Sequence, residues 1–223
     1  MSSHLAKRVP FEDLAKFNPA EKNKVRFGFV FDTAIYAAAG QDSLSLCAVP
    51  EGGQLNDNSR SKTSEDTNLN AAGTLSNNQI MLVRGVQVLF LPATTPGHAE
   101  ADATYSAATQ KFLANDVAAF YNNGLMHIAL KGVDIIKDGP LMMFPPQTHI
   151  EGSAAMTGTD TDNNRNIELV NCKGHAYPIE PFTWRGGEVL TAKMLWPNGK
   201  VALPSGLAGR VKLRLYGDIY EAK

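Results

Sequence analysis

From Leu125 to the C-terminus the chain consists of short apolar runs cut by turn residues: LMHIALKG, VDIIKDG, PLMMFPP, THIEGSAAM, IELVNC, HAYPIEPFTW, EVLTAKMLW and RVKLRLYGDIYEA. Lys131-Gly132, Asp138-Gly139-Pro140, Pro145-Pro146, Gly186-Gly187 and Asn198-Gly199 stand between most of them. Runs this short, bounded by Gly, Pro and Asn, predict strands. Eight or more strands at this spacing predict an antiparallel sandwich or barrel. The last run alternates most clearly: Val211, Leu213 and Leu215 share one face, and Arg210, Lys212 and Arg214 share the other. One side of that sheet is therefore apolar and its reverse basic.

Upstream, Val25 to Ala39, Leu44 to Val49 and Ile80 to Ala93 carry the same strand composition, with Gly85 placed for a bulge or bend. Three segments depart from the cadence. Residues 1–24 form a basic arm outside the main fold; the stretch Ser2 to Arg26 carries an excess of about three positive charges. Residues 51–79 form a polar loop of Asn, Ser, Asp and Gly with no aromatic, a composition that stays floppy in an isolated domain. Residues 102–123 form an inserted helix, because Ala103, Ala107, Leu113, Val117, Phe120 and Tyr121 fall near one face and Gly124 suits its end. That helix is expected to cover a sheet edge or the open end of the sandwich.

At 223 residues and 43% hydrophobic content, the chain is long enough for one sizeable core. A net charge of -1, with 19% charged residues, supplies no global field toward nucleic acid or anionic membranes. No apolar run reaches bilayer length and the first residues lack an apolar signal core, so the chain is expected to be soluble when made. Cys47 and Cys172 have no CxxC spacing and are expected to be buried thiols.

Chemistry-bearing patterns are sparse. His4, His98, His127, His149 and His175 include no HxH or HExxH pair, so each is expected to be a surface or satisfied core residue. Asp160 and Asp162 resemble a fragment of a calcium loop without its glycine or its twelfth-position Glu, and a solvated turn is expected there. No GxSxG, phosphate loop or strand-GxGxxG-helix pattern occurs. Catalytic, cofactor-binding and metal residues are all assigned as none. Glu180 and Glu188 flank Trp184 in a lectin-like order, which supports an alternative carbohydrate- or receptor-binding β sandwich. A β-sandwich enzyme stands third, and requires a cleft with convergent carboxylates or histidines. The last forty residues carry an excess of about four positive charges. They would suit phosphates, but aromatics are not interleaved among these arginines, so a solvated or subunit-facing surface is preferred.

The stretch YPIEPFTWRGGEVLTAKMLWPNGKVALPSGLAGRVKLRLYGDIYE, with NNQIMLVRGVQVLF and NNGLMHIALKGVDIIKDGPLMMFPP before it, resembles jelly-roll capsid proteins of tailless icosahedral bacteriophages, including lipid-containing ones. The likeness runs from Ile80 to Glu221 and lies in the turns and core pattern. It implies an all-β single jelly roll of two antiparallel sheets, since the chain is short for two eight-stranded sandwiches. It also implies a structural virion protein that self-assembles in the host cytoplasm into an icosahedral capsid shell. The implied partners are further copies of the chain, other capsid proteins and, through the basic arm, an internal membrane or the genome; no small-molecule substrate is implied. Within FTWRGGEVLTAKMLWPNG, Leu190, Ala192, Met194 and Trp196 are expected to face the core, with Trp196 plugging the sandwich. Val189, Thr191, Lys193 and Leu195 would face a neighbour, and Trp184, if exposed, would lie against another copy.

Overall fold

The computed structural model describes residues 25–92, 107–144, 148–154, 165–171 and 176–221. The arm 1–24, the expected helix start 102–106, His4, His98, His175, Cys172, Asp160 and Asp162 lie outside these residues. The strand cadence becomes ten strands among the described residues: β1 (Val25–Tyr36), β2 (Ser43–Leu46), β3 (Gln79–Leu91), β4 (Leu125–Leu130), β5 (Val133–Pro140), β6 (Thr148–Ala154), β7 (Arg165–Asn171), β8 (Tyr177–Arg185), β9 (Leu190–Leu195) and β10 (Gly209–Glu221). Among the described residues one α-helix, α1 (Ala107–Asn123), lies between β3 and β4 in the chain. His149 lies in β6.

The strands form two four-stranded antiparallel sheets, ordered β1-β10-β3-β8 and β2-β9-β4-β5, and β6 pairs separately with β7. The result is an all-β sandwich. Its core comes from the alternating faces of both sheets: Val211, Leu213 and Leu215 of β10 meet Ala192 and Met194 of β9 in one buried cluster, with Met126 and Ile128 of β4. In β3 the buried parity changes along the strand, from Met81 and Val83 to Val86, Val88 and Phe90. The register explains this. Gly217 opposes Val83 and Tyr216 opposes Gly85, so Arg84 is an extra residue and the inward face resumes one position later. Gly217 lies so close to β3 that a Cβ there would collide with the Leu82 carbonyl oxygen. The bend expected at Gly85 is thus a bulge that two glycines make room for.

α1 closes one end of the sandwich. The Phe120 ring stacks on Phe90 at 4.3 Å between centroids, with an interplanar angle of 8°. Tyr36 meets Phe120 edge-on at 5.4 Å and Trp196 at 4.7 Å, so Trp196 plugs the sandwich as its place in β9's pattern predicts. Tyr121 hydroxyl donates to the Val88 carbonyl at 2.8 Å and accepts from the Phe90 N–H at 3.1 Å, joining helix to sheet with a polar tether in an apolar setting. Burial raises the Tyr121 pKa.

Two expectations for the run after β5 are corrected. Asp138-Gly139-Pro140 does not turn the chain; it continues β5, with Asp138 at a φ of 53°. The LMMF of PLMMFPP is not a strand, because Leu141–Met143 form a 3-10 helix. An unbroken apolar run does not choose its period. Here Leu141 and Phe144, three apart, are buried while Met142 and Met143 are exposed, the pattern of three residues per turn.

The polar loop also differs from its expectation: residues 51–79 are held by the chain's own interior and by the free edge of β1. Asn68 accepts from the Phe31 N–H and donates to the Phe29 carbonyl, both at 2.9 Å. Asn56 repeats this on Ile35, at 2.7 Å and 2.8 Å. A side-chain amide presents one acceptor and one donor as a peptide does, so two asparagines pair the exposed edge in place of a fifth strand. The loop is also anchored by Lys62, 5% exposed, whose Nζ lies 2.6 Å from Oδ1 of Asp32, 0% exposed. Asp32 points inward from β1, and its Oδ2 accepts from the Cys47 N–H at 2.6 Å. Cys47 is a buried free thiol whose pKa burial pushes up. Desolvation also raises the Asp32 carboxyl above its ordinary value, and the charge and hydrogen bond of Lys62 offset only part of that.

Removing one partner of a buried pair leaves the other charged and unsolvated, so Lys62→Met is expected to lose about 3–5 kcal/mol in urea unfolding at neutral pH. A carboxyl with a raised folded-state pKa is costly above that pKa. The deficit of Lys62→Met should therefore shrink as pH falls through the Asp32 folded-state value toward the ordinary carboxylate range. A deficit independent of pH would show that the lost stability came from packing.

Candidate functional site

The outer face of the first sheet gathers what the sequence leaves scattered. With Asp32, Ala34 and Tyr36 buried, alternation turns Phe27, Phe29, Phe31 and Thr33 outward on β1, and Arg210, Lys212, Arg214 and Tyr216 outward on β10. The antiparallel register sets Phe29 opposite Tyr216, Phe31 opposite Arg214 and Thr33 opposite Lys212. Directly opposed residues share a face at side-chain contact distance. Tyr216 lies 6.4 Å from the Phe27 ring and 6.0 Å from the Phe29 ring, centroid to centroid. Phe27 and Phe29 remain 71% and 46% exposed.

Beside these rings the cations form a row. Lys212 Nζ sits 4.7 Å from the Phe31 ring centroid, a cation–π distance, and donates to the Glu65 carbonyl at 2.8 Å. Arg210 reaches Asp66 Oδ1 at 3.3 Å, and Asp66 also takes Arg60 at 2.7 Å. Burial pushes the Asp66 carboxyl up, but the Arg60 and Thr63 hydrogen bonds and the charges of Arg60 and Arg210 together hold it below its ordinary value. Lys212 is lowered to about 8, first by burial and then by Arg210 and Arg214 on either side. Together with Phe29, Phe31 and Glu65 the three cations line a shallow groove of about 410 Å³. Three buried polar atoms on this face, Thr33 Oγ1, Arg210 Nε and Arg214 Nε, have no hydrogen-bond partner among the described residues. The surface combines positive charge with exposed aromatic rings.

The other residues singled out from the sequence lie elsewhere. Trp184 is 0% exposed and donates its Nε1–H to the Glu188 carbonyl at 2.9 Å. Neither a sugar ring nor a neighbouring subunit reaches its face. Glu188 takes Lys131 Nζ at 2.7 Å and the Arg185 N–H at 3.0 Å. Burial works against the Glu188 charge, yet these donors together bring its pKa below the usual value. Glu180 is exposed on β8, on the rim of a wider groove of about 900 Å³ between β5 and β8. His127 Nε2 pairs with Asp134 Oδ1 at 3.0 Å. No group of three or more His, Cys, Asp or Glu placed to hold a metal occurs among the described residues. On β9, Leu190, Ala192, Met194 and the adjoining Trp196 are buried; Val189, Thr191 and Lys193 are exposed and Leu195 is half-buried.

The interleaving of aromatics and cations was missed because it was sought within one strand. Its signal is the matching odd–even parity of 27-29-31 and 210-212-214, which becomes informative only once β1 and β10 are known to be neighbours. Coupling within the row is measurable by lysine-resolved NMR titration. Asp66→Asn removes a charge that supports the Lys212 ammonium and is expected to move its pKa below about 8. Arg214→Gln removes a repelling charge and should move it upward. Shifts of the opposite sign would contradict this geometry.

Comparison with family models, with curated proteins and with solved structures gives no match for this chain.

Proposed function

We propose that the sandwich is a single jelly roll and that the protein is a structural virion protein, assembling through repeated subunit contacts into an icosahedral capsid shell of a tailless bacteriophage. The observation that carries this reading is the strand order. With the β6–β7 pair set aside, the chain is one long hairpin with nested partners: β1 with β10, β2 with β9, β3 with β8 and β4 with β5. Wrapping that hairpin so that β1, β3, β8 and β10 fall in one sheet and the remaining four strands in the other is what a jelly roll requires, and it supports this reading. This is the wrap implied by the capsid resemblance of the last two-thirds of the chain.

Fold alone does not assign function, so the surface must supply contacts. β5 is an edge strand of the second sheet, and exposed apolar side chains stand at both its ends: Val133 with Val189 nearby, and Met142 with Met143. Asp134, Lys137 and Asp138 along β5 discourage indiscriminate edge pairing while leaving those ends free for a specific neighbour. An interface of on the order of 1,000 Å² or more, repeated by symmetry, holds a shell without any single strong contact.

Negative-stain electron microscopy and light scattering of purified protein test the reading, with closed particles or large symmetric oligomers expected. Met142→Glu combined with Val133→Asp should cut particle yield while leaving the thermal midpoint within a few degrees, since both residues are exposed. A monodisperse monomer at high concentration, insensitive to salt and pH, would overturn the assignment.

A further inference from the structure

We infer that the outer face of β1 and β10 is a binding surface for single-stranded nucleic acid, with bases stacking on Phe27 and Phe29 and phosphates held by Lys212 and Arg214. This goes beyond shell assembly and places the contact on the folded sheet, apart from the basic arm.

The chemistry of a single strand is a row of anions beside a row of flat apolar rings. Binding it takes a cationic track next to open aromatic faces. The two strands supply both in register. Arg210, Lys212 and Arg214 recur every second residue, about 6.8 Å apart by strand rise. One strand away, Phe27 and Phe29 offer rings that are 71% and 46% exposed and lie against Tyr216 on the same face. Phe31 is already engaged by Lys212 at 4.7 Å, which leaves the outer two rings for bases.

The charge state favours an anion over an apolar partner. Arg210 is paired with Asp66, while Arg214 forms no ion pair among the described residues. An apolar surface laid over Phe27 and Phe29 would desolvate the Arg214 guanidinium without compensation. A phosphate beside it removes the cost and supplies a charge-assisted hydrogen bond. Lys212 is lowered first by burial and then by Arg210 and Arg214, and a bound anion would relieve the second of these. Of the acidic groups on this face, Glu65 and Asp66 lie on the loop side, toward Arg210, and Asp218, opposite Phe27, is neutralised by Arg84 at 2.6 Å. The Arg214 end, beside the exposed rings, is the more open to an incoming phosphate.

Fluorescence anisotropy of a labelled fifteen-nucleotide oligothymidylate with the 223-residue chain tests this, with self-association followed separately by sedimentation. Binding should weaken with salt, and Arg214→Gln should lower the slope of log affinity against log salt by about 0.7. Phe29→Ala should weaken binding by about 5- to 100-fold, as expected for one lost stacking contact. The thermal midpoint should fall by no more than a few degrees, because the ring is 46% exposed. Duplex DNA of equal length should bind more weakly than the single strand. Absence of binding at low salt, or an affinity indifferent to Phe29→Ala, overturns the inference. So does displacement by inorganic phosphate at equal phosphate concentration, which would make the groove a simple anion site. If Phe29→Ala abolishes self-association and no oligonucleotide binds, the face is a contact between copies. The assembly reading then survives and this inference fails.

Discussion

One ion pair in the sandwich interior governs much of what this chain shows at its surface. Asp32 sits on the inward face of β1, where a carboxylate without a partner would be strongly unfavourable. Lys62 reaches it from the polar loop, and the Cys47 N–H takes its second oxygen. Such a pair adds little net stability over a well-packed apolar core, but it is far more stable made than half-made. Its consequence is positional. The segment around Lys62 has one place to be, and Glu65 and Asp66, a few residues on, are set against Arg210 and Lys212 on the opposite face of the sheet. The buried pair and the surface groove are two ends of the same short stretch of chain.

The far end of the sandwich is held differently. Tyr36, Phe90, Phe120 and Trp196 come from β1, β3, α1 and the end of β9, and meet as a cluster of rings whose edges and faces interlock. Aromatic contacts of this kind contribute about 0.5–1.5 kcal/mol each beyond area burial. They join both sheets to the helix without polar commitments beyond the Tyr36 and Tyr121 hydroxyls, which donate to the Val201 and Val88 carbonyls. An apolar plug at one end and a polar strap at the β1 edge let an eight-stranded wrap close over a mixed sequence.

What the sequence made legible follows from this division. Strands, the inward turn of Phe120 and Tyr121 on the helix and the role of Trp196 rest on periodicity, a local property that survives without knowledge of partners. The loop was misread because its asparagines act through what they touch. Asn56 and Asn68 are ordinary turn residues in composition and edge caps only beside β1. PLMMF was misread because an uninterrupted apolar run fits a period of two or three equally well. Trp184 looked available because flanking glutamates suggest a polar setting, yet Glu188 turns its backbone carbonyl to the ring nitrogen and its carboxylate to Lys131. The aromatic–cationic face needed one further fact that no single strand contains, the pairing of β1 with β10.

That pairing runs without a break from Val25 opposite Tyr220 to Tyr36 opposite Gly209, while the bulge at Arg84 is confined to β3. A one-residue slip between β1 and β10 would reverse every side chain of β1 relative to the core. Phe27, Phe29 and Phe31 would enter the sandwich, a change that apolar burial alone would not oppose. What opposes it is Asp32, which would be carried to the surface and leave Lys62 buried without its counter-ion, while Ala34 and Tyr36 would lose their places in the core. The inward carboxylate thus acts as a register pin. By holding one polar group inside, the fold keeps three phenylalanines outside beside Lys212 and Arg214, and so a buried interaction decides the chemistry of the exposed face.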